Sequence, residues 1–140
     1  MNAARQEFVV KTPGVTANLS LIREFVSGVG ARYGLGPEAL DDVALAVDEA
    51  CSNLLQHGQR QRIDLRISPS PGRFAVILLD RGEGIPADSL GSFDLGEHLK
   101  SRHACGLGLY LIQQLMDEVK IEERSAQVQS LTMVKYHSAP

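Results

Sequence analysis

Three stretches of this chain carry residue types and spacings that could do chemistry. In DRGEGIP an apolar strand ends at Asp80, and Gly82 and Gly84 follow at alternate positions. A carboxylate at a strand end can accept a hydrogen bond from an exocyclic amine such as N6 of adenine. Glycines beside it let the backbone approach a flat ring, because no Cβ stands in the way. In CGLGLYL, Gly106 and Gly108 open a helix directly after an irregular segment. Unpaired amides at a helix N-terminus make an anion site suited to phosphates. In DEACSNLLQHG, Glu49, Asn53 and His57 recur every four residues, in a polar stripe that also takes in Asp42 and Gln56. Taken singly, each has a plainer explanation: a glycine-rich turn, a tight loop-to-helix junction, and the solvated face of an amphipathic helix.

The elements that must position these residues follow from hydrophobic periodicity. EFVV alternates well enough for a short strand, closed by Thr12, Pro13 and Gly14. From Thr16 to about Tyr33, Leu19, Ile22, Phe25, Val26 and Val29 recur at helical intervals, with Thr16 placed as N-cap and Gly34 as stop. A second helix has Pro37 in its first turn and runs to His57, with Gly58 as its cap. Stepping about 100° per residue puts Leu40, Val43, Val47, Ala50 and Leu54 on its core face, opposite the polar stripe. RIDLRI and RFAVILLD read as strands of a hairpin joined by SPSPG. Residues 91–105 show no sustained period and predict a lid, the usual use of so long a loop. GLGLYLIQQLMDEV predicts a third helix with Leu109, Ile112, Leu115, Met116 and Val119 buried, and VKIEER and QVQSLTMVKYH predict two final strands.

That order predicts one domain over residues 1–140, of the α+β class. Its architecture is a two-layer α/β sandwich, a mixed and mostly antiparallel sheet with helices on one face. The chain is long enough for a proper core, and 44% apolar with 22% charged residues is too apolar for disorder. A net charge of −3 offers no footprint for direct nucleic-acid binding. No run of 18 apolar residues exists to span a membrane, and MNAARQEFVVKTPG lacks a signal-peptide stretch. With Cys51 and Cys105 inside apparently helical or motif segments, a reduced, cytoplasmic setting is expected.

Taken together, in this order, the three stretches resemble the GHKL, or Bergerat-fold, ATPase superfamily. The nearer likeness is to its small anti-sigma-factor serine/threonine kinases. Their N-box, E-A-x-x-N-x-x-x-H-G, is matched by Glu49-Ala50 through Asn53 to His57-Gly58. The glycine box is matched by Asp80, Gly82, Gly84 and Ile85, and the segment G-x-G-L-x-L-I-x-x-L-M-D-E-V by residues 106–119. The resemblance implies that ATP and Mg²⁺ are bound: Asn53 holds the metal on the phosphates, Asp80 takes the adenine amine, and Gly106, Leu107 and Gly108 lie at the phosphates. Glu49 would orient and deprotonate the attacking hydroxyl. His57 either lines the pocket or caps the helix end, where such a side chain is also favoured. Lys100 and Arg102 are lid candidates for phosphate contact, and Thr132 a candidate support for Asp80. The family's last strand commonly starts Gly-Thr, whereas this one reads QSLTMV.

The function implied is phosphorylation of a STAS-type anti-sigma antagonist, with sequestration of a sigma factor as a second activity. Dimers are common among such proteins, so a homodimer is an open expectation. A different class of function, a module that binds ATP only to set its shape, would have no need of a base at Glu49. A histidine-kinase catalytic domain fits poorly, since no phosphoacceptor hairpin precedes the domain here. His98, His103 and Cys105 do not complete a zinc ligand set with zinc spacing.

Overall fold

The computed structural model describes residues 6–56, 62–80, 104–125 and 128–138. Five strands, β1 (Phe8–Pro13), β2 (Arg62–Ser70), β3 (Arg73–Asp80), β4 (Glu118–Ser125) and β5 (Val128–Tyr136), form one sheet in the order β1-β2-β3-β5-β4. Every ladder between neighbours is antiparallel. Among the described residues, helices α1 (Leu19–Arg32), α2 (Pro37–Gln56) and α3 (Ala104–Leu115) join the sheet in an α+β architecture.

Alternation along the strands decides which side chains meet the helices. Ile63, Leu65, Ile67, Phe74, Val76 and Met133 are fully buried on one face and join Ile22, Val26, Val47 and Ile112 of the helices in a single core. The opposite face carries Arg66, Ile77, Leu79 and Thr132, none of them fully buried. On that face a cavity of about 320 Å³ is lined by Glu7, Arg66, Ile77, Leu79, Arg124 and Val128.

Local chemistry moved several expected boundaries. β1 runs on through Thr12 and Pro13, because at a sheet edge proline's missing N–H removes no interior ladder bond. Thr16 is not an α-helix cap: it opens a short 3-10 turn, Thr16–Asn18, and no side chain caps it or α1. Asn18 instead donates from Nδ2 to Thr12 Oγ1 and Pro13 O, both at 3.0 Å, which ties the turn back to β1. Gly34 does stop α1. Its φ of 97° is left-handed, and Leu35 N donates to Gly30 O at 3.0 Å while Gly34 N donates to Ala31 O at 3.3 Å, a Schellman closure.

The β2–β3 link is tighter than SPSPG suggests. Ser70 already pairs with Arg73, so only Pro71 and Gly72 turn the chain, with Gly72 at φ 74°. α3 is shorter than predicted. It ends at Leu115, and Val119 packs half-buried against the core from a strand instead. Asp117 explains this, because its N–H donates to Val134 O at 2.8 Å and its carboxylate accepts from Tyr136 N at 2.7 Å. Those bonds commit the chain to the sheet edge before another helical turn can form. Residues 91–103 of the expected lid, Gly58 and the glycine-box residues after Asp80 lie outside the described residues, whereas Ala104 and Cys105, expected to be irregular, open α3.

Candidate functional site

Chain path alone brings the row on α2 and the aspartate on β3 to the same end of the fold. Asp42, in the second turn of α2, pairs with Lys135 at 2.9 Å, and Lys135 stands opposite Phe74 at the start of β3. From there α2 runs away for about 20 Å before Gln56, at 1.5 Å per residue. β2 begins at Arg62, beside the far end of β3, with Asp64 opposite Leu79. So α2 advances toward the end of β3 that carries Asp80, with Asn53 about 16 Å along from Asp42 and Glu49 one turn behind it. Asp80 itself, 7% exposed, shares the helix-facing side of β3 with Phe74, Val76 and Leu78.

α3 runs the opposite way. Gly108, near its start, lies against the amide of Asn53. Its end lies with the start of α2, where Leu115 O accepts from Lys135 Nζ at 2.6 Å. Lys135 therefore fixes the start of α2 and the end of α3 at once, and the two helices present their other ends together. Asn53 is buried, at 7% exposure, while Glu49 one turn earlier is half-buried. Among the described residues neither has a hydrogen-bond or ion-pair partner. An amide without a partner there keeps its donor and acceptor groups open to a ligand.

Of the expected site residues, the structure brings Asn53 and Gly108 together, with Glu49 one turn before Asn53 on α2 and Asp80 ending β3 on the helix-facing side. Thr132 does not join them. It stands opposite Ile77 and Lys120, so pleating puts its side chain on the sheet face away from the helices, while Asp80 faces them. The residues that share the face of Asp80 on β5 are Gln129, directly opposite it, and the buried Leu131. Sequence reasoning missed Gln129, since only the strand register identifies it. Gly106 and Leu107 lie in the first turn of α3. His57, Gly82, Gly84, Ile85, Lys100 and Arg102 lie outside the described residues, as do His98 and His103. Among the described residues no cluster of His, Cys, Asp and Glu could hold a metal by itself, and no helix is long and apolar enough to cross a membrane.

Cys51, between Glu49 and Asn53 in sequence, points the other way. It is 1% exposed in the core, and burial, with a smaller effect from Asp48, pushes its thiol up from 9.0 to about 12. The unfolded chain thus loses this proton at lower pH than the folded one. Stability should fall as pH rises from about 9 toward 12, by up to about 1.4 kcal/mol per pH unit. Urea unfolding across that range should show the slope in the native protein and lose that component in Cys51→Ala. A thiol reagent at neutral pH should modify Cys51 only after unfolding.

Comparisons with known proteins bear on the family and the fold. Residues 12–135 match the family described as the histidine kinase-like ATPase domain. The chain is 31% identical to the serine-protein kinase RsbW of Bacillus subtilis, over 91% of this chain and 83% of that protein. It is 29% identical to the serine-protein kinase RsbW of Staphylococcus epidermidis, over 97% of this chain and 90% of that one. By fold it is similar to the RsbU and RsbW domains of a Mycobacterium tuberculosis protein, with a TM-score of 0.68 at 16% identity, over 96% of this chain and 33% of that one. It is also similar to a chain of the SiaB–SiaC complex from Pseudomonas aeruginosa, with a TM-score of 0.63 at 17% identity, over 91% of this chain and 88% of that one. The chain therefore belongs to the histidine kinase-like ATPase family, within its group of serine-protein kinases.

Proposed function

We propose that this protein is an ATP-dependent serine/threonine kinase of the anti-sigma-factor type. It phosphorylates a STAS-domain antagonist protein and, in its other binding state, sequesters a sigma factor. The observation that supports this most directly is the placement of a half-buried carboxylate, Glu49, one helical turn before the buried Asn53, which lies against Gly108 near the start of α3. A binding module needs an adenine acceptor and phosphate contacts; a kinase also needs a base beside the phosphates, and this reading gives that role to Glu49.

In this reading Asp80 accepts the adenine amine, and Asn53 offers its amide oxygen to Mg²⁺. That donor suits the ion, which prefers oxygen ligands and keeps much of its shell from phosphate and water. When bound, Mg²⁺ supplies charge neutralisation on the transferring phosphate. Glu49 orients the acceptor hydroxyl and takes its proton. The rest of the catalytic work is positioning, as phosphoryl transfer needs little covalent help.

The test is transfer of labelled phosphate from ATP to a purified STAS-domain protein, with binding of that protein and of a sigma factor measured in parallel. Phosphoserine or phosphothreonine on the STAS protein is expected. Binding of both ATP and partner without any transfer would replace the kinase with a non-catalytic module.

A further inference from the structure

We propose that Gly108 is a positioning residue for Asn53: it leaves out a side chain so that the Asn53 amide can lie against α3. This rests on the reading of Asn53 given above. A Cβ built at Gly108 would meet Asn53 Cγ at 2.9 Å and Oδ1 at 3.1 Å, with Nδ2 nearer still. Real Cβ atoms essentially never approach so closely. Backbone conformation gives no competing reason for the glycine. Among the described residues the positive-φ glycines are Gly34 and Gly72, so Gly108 has a helical backbone that any residue could adopt. Helix propensity argues against it, because glycine is among the poorest residues in a helix and alanine the best. A locally unfavourable residue is therefore kept at the one place where the Asn53 amide fills the Cβ volume.

The consequence is mechanical. The Asn53 side chain and the start of α3 occupy complementary space, so neither shifts without the other. Gly108 thereby acts on the nucleotide through Asn53, in addition to any approach of its own backbone to phosphate. Residues that orient a metal ligand without touching the metal are commonly worth about 10–100-fold in affinity or activity.

Gly108→Ala, Asn53→Ala and the double variant close a mutant cycle. In the nucleotide-free protein, the side-chain amide signal of Asn53 in a ¹H–¹⁵N spectrum, identified by its loss in Asn53→Ala, should move in Gly108→Ala. The Mg²⁺-dependent gain in ATP affinity should fall about 10–100-fold in Gly108→Ala. In the Asn53→Ala background the same glycine replacement should change it less than about threefold, since the group it acts through is gone. An unmoved Asn53 signal, or a full-sized loss that persists without Asn53, overturns the proposal. If Gly108→Ala does not fold, recovery of folding in the double variant supports it and failure to recover overturns it. Should Asn53→Ala keep the whole Mg²⁺ effect while the Asn53 signal, present when Asn53 is intact, moves in Gly108→Ala, the steric coupling stands and the metal reading of Asn53 fails.

Discussion

Glu49→Ala should bind Mg·ATP about as well as the native protein and transfer phosphate about 10²–10⁴-fold more slowly, the usual contribution of a positioned acid or base. The expectation rests on place. Glu49 lies one helical turn before Asn53, on a half-buried part of α2, with no hydrogen-bond or ion-pair partner among the described residues. In the proposed mechanism this carboxylate takes the proton of the acceptor hydroxyl. Its proton-accepting role is felt in the transition state and hardly at all in ground-state binding. Removing one negative charge near the phosphates should, if anything, tighten nucleotide binding. Partner binding should survive, because nothing puts Glu49 on a docking surface. Labelled-phosphate transfer to a purified STAS-domain protein, alongside ATP titration, measures both quantities. A variant as active as the native protein would remove Glu49 from the mechanism.

Asp80→Asn should weaken ATP binding about 5–150-fold, the equivalent of about 1–3 kcal/mol for breaking or mispairing one buried hydrogen bond. Asp80 is 7% exposed on the helix-facing side of β3, so water cannot easily take the place of a hydrogen bond removed there. An ionised carboxylate accepts hydrogen bonds only, which suits the adenine amine and opposes the O6 acceptor of guanine. GTP should therefore bind the native protein poorly. An amide at this position adds a donor where the amine already donates. Calorimetry with both nucleotides, and a thermal melt to establish that the variant is folded, gives the measurement. Equal affinity for ATP and GTP would remove Asp80 from base recognition.

Much of the architecture was legible because hydrophobic period is a local property. The 3.6-residue pattern from Leu40 to Leu54 fixes which face of α2 is buried, and the strands found as RIDLRI and RFAVILLD needed no knowledge of their neighbours. Gly34 was readable as a helix stop because a left-handed residue is itself a local requirement. The end of α3 was not readable. MDEV continues the helical pattern, and what stops it is Asp117 bonding to Val134 and Tyr136, residues from a strand 17 or more positions away.

For the site, sequence by itself determined the row of Glu49 and Asn53, since four-residue spacing on a helix needs no partner to define a face. It also determined Asp80 as a carboxylate ending an apolar strand. Only the tertiary structure decided which residues meet them. Strand register put Thr132 on the wrong face of the sheet and Gln129 opposite Asp80, because a side chain's face alternates with every residue and the ladder alone fixes its phase. Packing of α3 on α2 decided the meaning of Gly108. In sequence it is one glycine of a loop-to-helix junction; in space it is the missing Cβ that admits the amide of a residue 55 positions earlier in the chain. The physical reason is the same in both cases: a period is set by neighbours along the chain, whereas a contact is set by which elements share the core.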